Sequence, residues 1–368
     1  ITDHSADLAS NSWGQNIKRY LPGFNETQFV TTINKCEWYG SYESIGKKFD
    51  QIVYGDLTDW GNPVKPISVV TSIGNERYGN NTNDNPCMNS TNNYNLYYPY
   101  RTIDPIKGSK NTISVGATYS LNNRITVFSS YGPTDDGRIK PDLVAPGCTY
   151  YDGITSTFGI DSYSSLIDGN EACGTSMAAP HVSGTIALML EQWDRQYSQD
   201  PLPSTIKAML LDSSIDLASD GSGTETIDGP DYKNGYGLLN AKGAVDRIIN
   251  ETFVESNIST ETDIDIYSIN ITTQDDIKVT LVWDDVPGNP ALSSEKVLVN
   301  DLDLKLISPS GKIYYAWTLN ASSPSDLAKR NREDHINNVE QVYVNETEQG
   351  EWLVVVSASD LDSTIDFQ

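Results

Sequence analysis

The sequence predicts an α/β layer domain followed by an antiparallel β-sandwich, and three observations carry that prediction. Up to about residue 248 short apolar strands alternate with helical stretches. Beyond Asn250 the texture turns to short, spaced β-runs broken by Pro-Gly, Ser-Gly and Asn-rich turns. The length of 368 residues divides into two domains at roughly 150 residues each, enough for two separate cores.

Taken in order, Pro66 to Val70 and Thr112 to Gly116 read as strands, and Gly184 to Leu190 and Ser204 to Leu210 as helices. The stretch from Asn75 to Tyr100 is dominated by Asn, Tyr and Asp with hardly any aliphatic residues, which predicts a long surface loop. Further strands are expected at Asp265 to Ile271, Ile277 to Trp283, Val297 to Ile307, Lys312 to Trp317, Val339 to Val344 and Trp352 to Ser357.

Composition removes several function classes. The net charge of −25 repels phosphate backbones and anionic lipid, so nucleic acid is not an expected partner. No apolar run reaches the ~18 residues of a membrane span, and Ile1 to Asp7 lacks both the basic and the apolar part of a signal peptide. The chain is therefore expected to start mature, processed or cut. Asn-X-Ser/Thr sequons at Asn25, Asn80, Asn89, Asn250, Asn257, Asn270, Asn320 and Asn345 are a mild excess over chance and suit a glycosylated protein of an extracellular or secretory/lysosomal-type compartment. Cys36, Cys87, Cys148 and Cys173 show no metal-binding spacing; they permit two disulfides in any of three connectivities, or four buried thiols.

The most informative stretch is Gly174-Thr-Ser-Met-Ala-Ala-Pro-His-Val-Ser-Gly184, which sets a hydroxyl, Ser176, at the Gly-rich entry to a helix of small residues. The positive helix end and its free N–H groups favour an oxyanion there, and the alanines let the first turns pack closely on a sheet. This segment resembles the nucleophile motif of the subtilisin-like serine proteases (subtilases, peptidase family S8). Two more segments match that family in its own order. Val69-Val-Thr-Ser-Ile-Gly-Asn-Glu76 is similar to the strand and turn presenting the oxyanion-hole asparagine, which implies that role for Asn75. Asn11-Ser-Trp-Gly14 is similar to the cleft strand, where Ser12, Trp13 and Gly14 pair with a peptide substrate by β-augmentation. Ser72, Ile73, Gly74 and Thr175 join that implied substrate-binding set.

The likeness continues through Phe128 to Pro133 and Lys140 to Gly147, so it covers nearly all of residues 5–248. Leu281 to Asp285, Leu298 to Leu304 and Asn337 to Glu340 resemble the C-terminal jelly-roll domain of the oxidatively stable alkaline branch. The resemblance thus implies the C-terminal portion of a subtilisin-like catalytic domain at 1–248 and a jelly roll at 249–368.

What the chain lacks is equally specific. A subtilase triad runs Asp, His, Ser, yet neither an Asp-Thr/Ser-Gly segment nor a Gly-His-Gly-Thr-like helix start occurs here. Of three histidines, His181 lies five positions after Ser176 and so points about 140° away on a helix. His335 reads as part of a solvated loop, and His4 as a terminal surface residue. The expectation is an N-terminal segment of the same protease, carrying the catalytic Asp and His, as partner to this chain, with proteins or peptides as substrates. The alternative is an inactive pseudoprotease serving a structural or binding role in an extracellular assembly, and a carbohydrate-binding jelly roll rests on fold analogy alone.

Asp284, Asp285, Asp301, Asp303 and Glu340 offer hard oxygen ligands, so Ca²⁺ is the expected ion if one binds, with Asp301 and Asp303 first because alternate strand residues share a face. A Cys148 to Cys173 bridge would brace the segment leading to Ser176, leaving Cys36 with Cys87.

Overall fold

The computed structural model describes residues 6–12, 39–56, 64–77, 99–104, 107–149, 153–154, 172–217, 229–290 and 295–362. Four parallel strands, β1 (Leu8–Asn11), β2 (Ser68–Ser72), β3 (Ile113–Tyr119) and β4 (Leu143–Cys148), form one sheet in that spatial order. β2 is buried along its whole length and β3 nearly so, as expected of strands covered on both faces. Helix α1 (Ser44–Tyr54) lays Phe49 and Val53 against Ile67 and Val69 on one side.

On the opposite side runs α2 (Thr175–Gln196), which buries Ala178, Ala179, Val182, Ile186, Met189 and Trp193 at helical spacing over Val115, Ala117, Leu143 and Ala145. α3 (Pro203–Ser213) adds Ile206, Met209 and Leu210 to the same core. α4 (Ala241–Ile249) is capped by Asn240, whose Oδ1 accepts from the Gly243 N–H at 3.0 Å.

The remaining strands are all antiparallel. β5 (Ile264–Ile271), β10 (Gly350–Asp360), β7 (Asp301–Ile307) and β8 (Ile313–Tyr315) form one sheet in that spatial order, and β6 (Ile277–Val282) pairs with β9 (Val339–Val344) in another. Leu304, Leu306, Val342, Val344, Trp352, Val354 and Val356 fill the core they share. β7 is shorter than the run expected from Val297. The reason lies in hydrogen bonding: the Val299 and Asn300 N–H groups donate to the Asp285 carboxylate, both at 2.9 Å, and the Val297 carbonyl accepts from Lys110 at 3.1 Å. No ladder is left for those residues to make.

That arrangement joins the two halves of the chain. Lys110 Nζ, fully buried, lies 2.5 Å from Asp285 Oδ2 and donates to the Val286 carbonyl at 2.6 Å. Asn111 Nδ2 donates to the Asp285 carbonyl at 2.7 Å, and Asn111 Oδ1 accepts from Asn338 Nδ2 at 3.0 Å. Asp284 accepts from the Ser204 N–H at the start of α3 at 3.0 Å, and its burial pushes its pKa up to about 6. Both carboxylates thus take part in packing the two halves of the chain together.

A second buried ionic group sits under the sheet. Lys140 Nζ and Lys207 Nζ approach the two oxygens of Asp142 at 2.6 and 3.0 Å. Two ammonium groups share one carboxylate away from water, and burial lowers Lys140 to about 7 from the ordinary 10.5. Between those values the unfolded chain holds a proton that the folded chain does not, so stability is fully present above about pH 10.5 and is lost as pH falls towards about 7. Urea midpoints are expected to rise across that window, and Lys140→Met is expected to flatten the rise.

Candidate active site

The site is assembled where β1, β2 and β4 deliver their ends to the start of α2. Behind β4 the chain passes so near the helix entry that only glycine fits: a Cβ on Gly147 would lie 2.6 Å from Ala117 Cβ and 2.7 Å from the Gly174 carbonyl oxygen. The Gly174 N–H donates to the Gly147 carbonyl at 3.0 Å, and a Cys148–Cys173 disulfide clamps the strand end to the helix entry, as expected. Cys36 and Cys87 lie outside the described residues. Closing a loop with a sequence separation of 25 stabilises by about 3.5 kcal/mol in the chain-entropy picture. The Cys148→Ser, Cys173→Ser double variant is therefore expected to lower the urea midpoint by a matching amount.

Ser176 occupies the first turn of α2, and Asn75 reaches it from the turn after β2. Asn75 Oδ1 accepts from both the Thr175 N–H at 2.9 Å and the Thr175 hydroxyl at 3.0 Å. With its oxygen held twice, the side chain presents its NH₂ as the free end of the amide, 3.4 Å from where a Cβ on Gly174 would stand. The Thr175 N–H is spent on Asn75 and the Met177 N–H on the Gly174 carbonyl. The Ser176 N–H between them is an unpaired first-turn donor among the described residues. Two donors are thus available beside one hydroxyl at a positive helix end, an arrangement suited to a developing oxyanion.

The turn that carries Asn75 is itself fixed. Gly74 has φ +115, a conformation that favours glycine, and its carbonyl accepts from the Ser130 N–H at 3.0 Å. Ser130 Oγ accepts from the Glu76 N–H at 3.1 Å, and Arg77 lies 4.1 Å over the Tyr131 ring while its Nε donates to the Ser129 carbonyl at 2.9 Å.

Ser176 and Ser12 hold each other: Ser176 Oγ donates to the Ser12 carbonyl at 2.8 Å, and Ser12 Oγ donates to the Ser176 carbonyl at 3.0 Å. The end of the cleft strand therefore meets the hydroxyl, while Trp13 and Gly14 lie outside the described residues. Three members of the implied substrate-binding set act differently. Ile73 is fully buried with its N–H given to the Val115 carbonyl and its carbonyl to the Asp104 N–H. Ser72 is buried in the β2–β3 ladder, and Thr175 is spent on anchoring Asn75. These contacts hold Gly74 and Asn75 in place.

Among the described residues no histidine or carboxylate bonds to Ser176 Oγ. His181 is exposed on α2 with Nδ1 2.9 Å from the Met177 carbonyl, turned away from the hydroxyl. His4 lies outside the described residues. Along one side of α2, Pro180, His181, Gly184, Ala187 and Leu188 are exposed, Leu188 by 54%, and among the described residues β1 is an edge of its sheet.

Elsewhere, Asn250, Asn257, Asn270, Asn320 and Asn345 are all exposed, whereas Asn25, Asn80 and Asn89 lie outside the described residues. Asp301 and Asp303 sit together, buried, on one face of β7. His335 lies in a loop and is exposed, as expected, and its Nδ1 lies 3.2 Å from Asp301 Oδ2.

Comparison with known proteins bears on this geometry. A family profile described as "Subtilase family" matches residues 1–244. Over 271 residues, 64% of the chain, it is 27% identical to the "Serine protease/ABC transporter B family protein tagA" of Dictyostelium discoideum, and spans 14% of that protein. It is 46% identical over 69 residues to "Pyrolysin" of Pyrococcus furiosus, a match covering 19% of the chain and 4% of pyrolysin. A similar solved structure, the "serine protease of Aeromonas sobria", shares 14% identity with a TM-score of 0.36, covering 96% of this chain and 65% of that one. The chain thus spans a small part of the curated relatives it matches.

Proposed function

Because this chain belongs to the subtilase family, we propose that it supplies the nucleophile and oxyanion hole of a secreted serine endopeptidase whose base and orienting carboxylate come from an N-terminal segment of the same protease. The observation that carries this reading is the double anchoring of Asn75 Oδ1 by Thr175, which turns the amide NH₂ into a fixed donor beside the Ser176 N–H. In this mechanism Ser176 Oγ attacks the scissile carbonyl while the imidazole of the N-terminal segment takes its proton. Charge then builds on the carbonyl oxygen, where Asn75 Nδ2 and the Ser176 N–H receive it without reorganising. The imidazolium returns the proton to the leaving amine, and water releases the acyl group by the same steps in reverse order.

In the chain alone the hydroxyl proton rests on the Ser12 carbonyl, a position it leaves when an imidazole is offered. The edge position of β1 among the described residues and the exposed Gly184, Ala187 and Leu188 of α2 support the docking of further strands and a helix there, since apolar side chains beside a sheet edge are a poor surface to leave in water. In the same reading residues 1–248 are the C-terminal portion of the catalytic domain, 249–368 a jelly roll, and the exposed sequons carry glycans.

A second reading, a pseudoprotease with a structural or binding role, is favoured by one observation: no base contacts Ser176 among the described residues. A fluorophosphonate probe applied to the native preparation separates the two. Labelling mapped to Ser176 supports the protease, and silence at neutral pH supports the scaffold.

A further inference from the structure

We propose that Asp301, Asp303 and His335 form a binding site for a divalent transition ion of the Zn²⁺ type, where β7 meets the loop preceding β9. Asp301 and Asp303 alternate along β7 and so face the same way, and the ligand atoms of the three residues lie within 4.8 Å of one another. His335 Nδ1 is 3.2 Å from Asp301 Oδ2 and 3.8 Å from Asp303 Oδ1. Bonds of about 2.0–2.2 Å to a tetrahedral ion set its ligands about 3.3–3.6 Å apart, and the two separations measured from His335 Nδ1 fall close to that range without an ion present.

Two independent features point to a cation. First, Asp301 Oδ1, Asp303 Oδ1 and Glu340 Oε1 are buried and have no hydrogen-bond partner. Asp301, Asp303 and Glu340 are 3%, 2% and 1% exposed, and a polar oxygen so enclosed is costly without a partner. Glu340 reaches this cluster from β9: its Oε2 accepts from the N–H of Leu304, next to Asp303, at 2.6 Å. Of the cations nearby, Lys296 is 2.9 Å from Asp301 Oδ2 and itself 39% exposed, so free to swing into solvent, while Lys305, which also faces Asp303, is paired with Glu333. Asp334, beside them, is spent on the Ile336 and Asn337 N–H groups and Asn337 Nδ2.

Second, the far nitrogen of His335, Nε2, lies 3.8 Å from Glu333 Oε2. Glu333 stands on the far side of the ring from the two aspartates, so Nδ1 is the nitrogen that faces them. The nitrogen donor also decides the ion class. Ca²⁺ takes six to eight oxygens, whereas a mixed imidazole and carboxylate set suits Zn²⁺ and its neighbours. Calcium, the expectation from the carboxylates alone, fits this donor set less well. Access is provided by an adjoining cavity of about 430 Å³ lined by Glu333, Asp334 and His335.

The test is a Co²⁺ titration of the chain after treatment with a chelator, followed by displacement with Zn²⁺. The expected result is one ion per chain with the intense visible bands of a four-coordinate site, bleached by Zn²⁺ and not by equimolar Ca²⁺. His335→Gln, a substitution at a half-exposed residue, is expected to weaken binding at least about tenfold while leaving the metal-free melting temperature unchanged. Lys296→Met, which removes the competing ammonium, is expected to tighten it. Absence of stoichiometric binding, equal binding by His335→Gln, or displacement by Ca²⁺ as readily as by Zn²⁺ overturns the proposal.

Discussion

Ser176→Ala in the assembled protease is expected to lower kcat about 10⁶-fold with KM little changed, a scale taken from the nucleophile of subtilisin itself. The variant removes only an oxygen at the mouth of α2. Its backbone N–H, the Thr175 to Asn75 anchor and the Gly174 to Gly147 contact all persist, so the fold and the oxyanion donors stay in place. The measurement is steady-state hydrolysis of a chromogenic peptide, with circular dichroism to verify folding. Activity within tenfold of the native protein would remove Ser176 from the chemistry and with it the protease reading.

Asn75→Ala is expected to reduce kcat by about 10² to 10³, again with KM nearly unchanged and again on a scale borrowed from subtilisin. The split follows from when the donor acts. Asn75 Nδ2 has its strongest acceptor only after the carbonyl oxygen has become negative, so its loss is felt in the transition state and hardly at all in binding. Stability suffers little, because Asn75 is exposed and Thr175 keeps its place in α2. A rise in KM at constant kcat would instead make Asn75 a substrate-binding residue.

The sequence made some of this arrangement legible and hid the rest for identifiable reasons. The run of small residues after Ser176 announced a helix pressed against a sheet, and Ala178 and Ala179 are indeed fully buried there. Motif order placed Ser12 on the cleft strand, but its two hydrogen bonds to Ser176 across 164 positions are visible only in the structure. The Thr175 anchor was not legible, since a threonine between a glycine and a serine looks the same whether it faces a substrate or a neighbouring amide. The burial of Ile73 was not legible either, because a strand residue leading to a functional turn looks the same whether it lines a cleft or lies in the core.

The acidic motifs of the second half show the same limit. Asp284 and Asp285 are adjacent to one another in sequence and resemble ligands, yet their partners, Ser204 and Lys110, come from the other half of the chain. A carboxylate looks identical in sequence whether it awaits an ion or already holds a buried lysine. His335 lies 34 and 32 positions from the two aspartates it approaches, a separation that no local pattern reveals.

The most direct measurement is the rate of fluorophosphonate labelling at Ser176, first in the isolated chain and then after adding a polypeptide bearing the Asp-Thr/Ser-Gly and Gly-His-Gly-Thr-like segments. With the hydroxyl held only by the Ser12 carbonyl, labelling of the isolated chain is expected to be slow, and to rise by at least about 10² once a base docks. Labelling that is equally fast in both would contradict this account, because it would place the proton acceptor within these 368 residues.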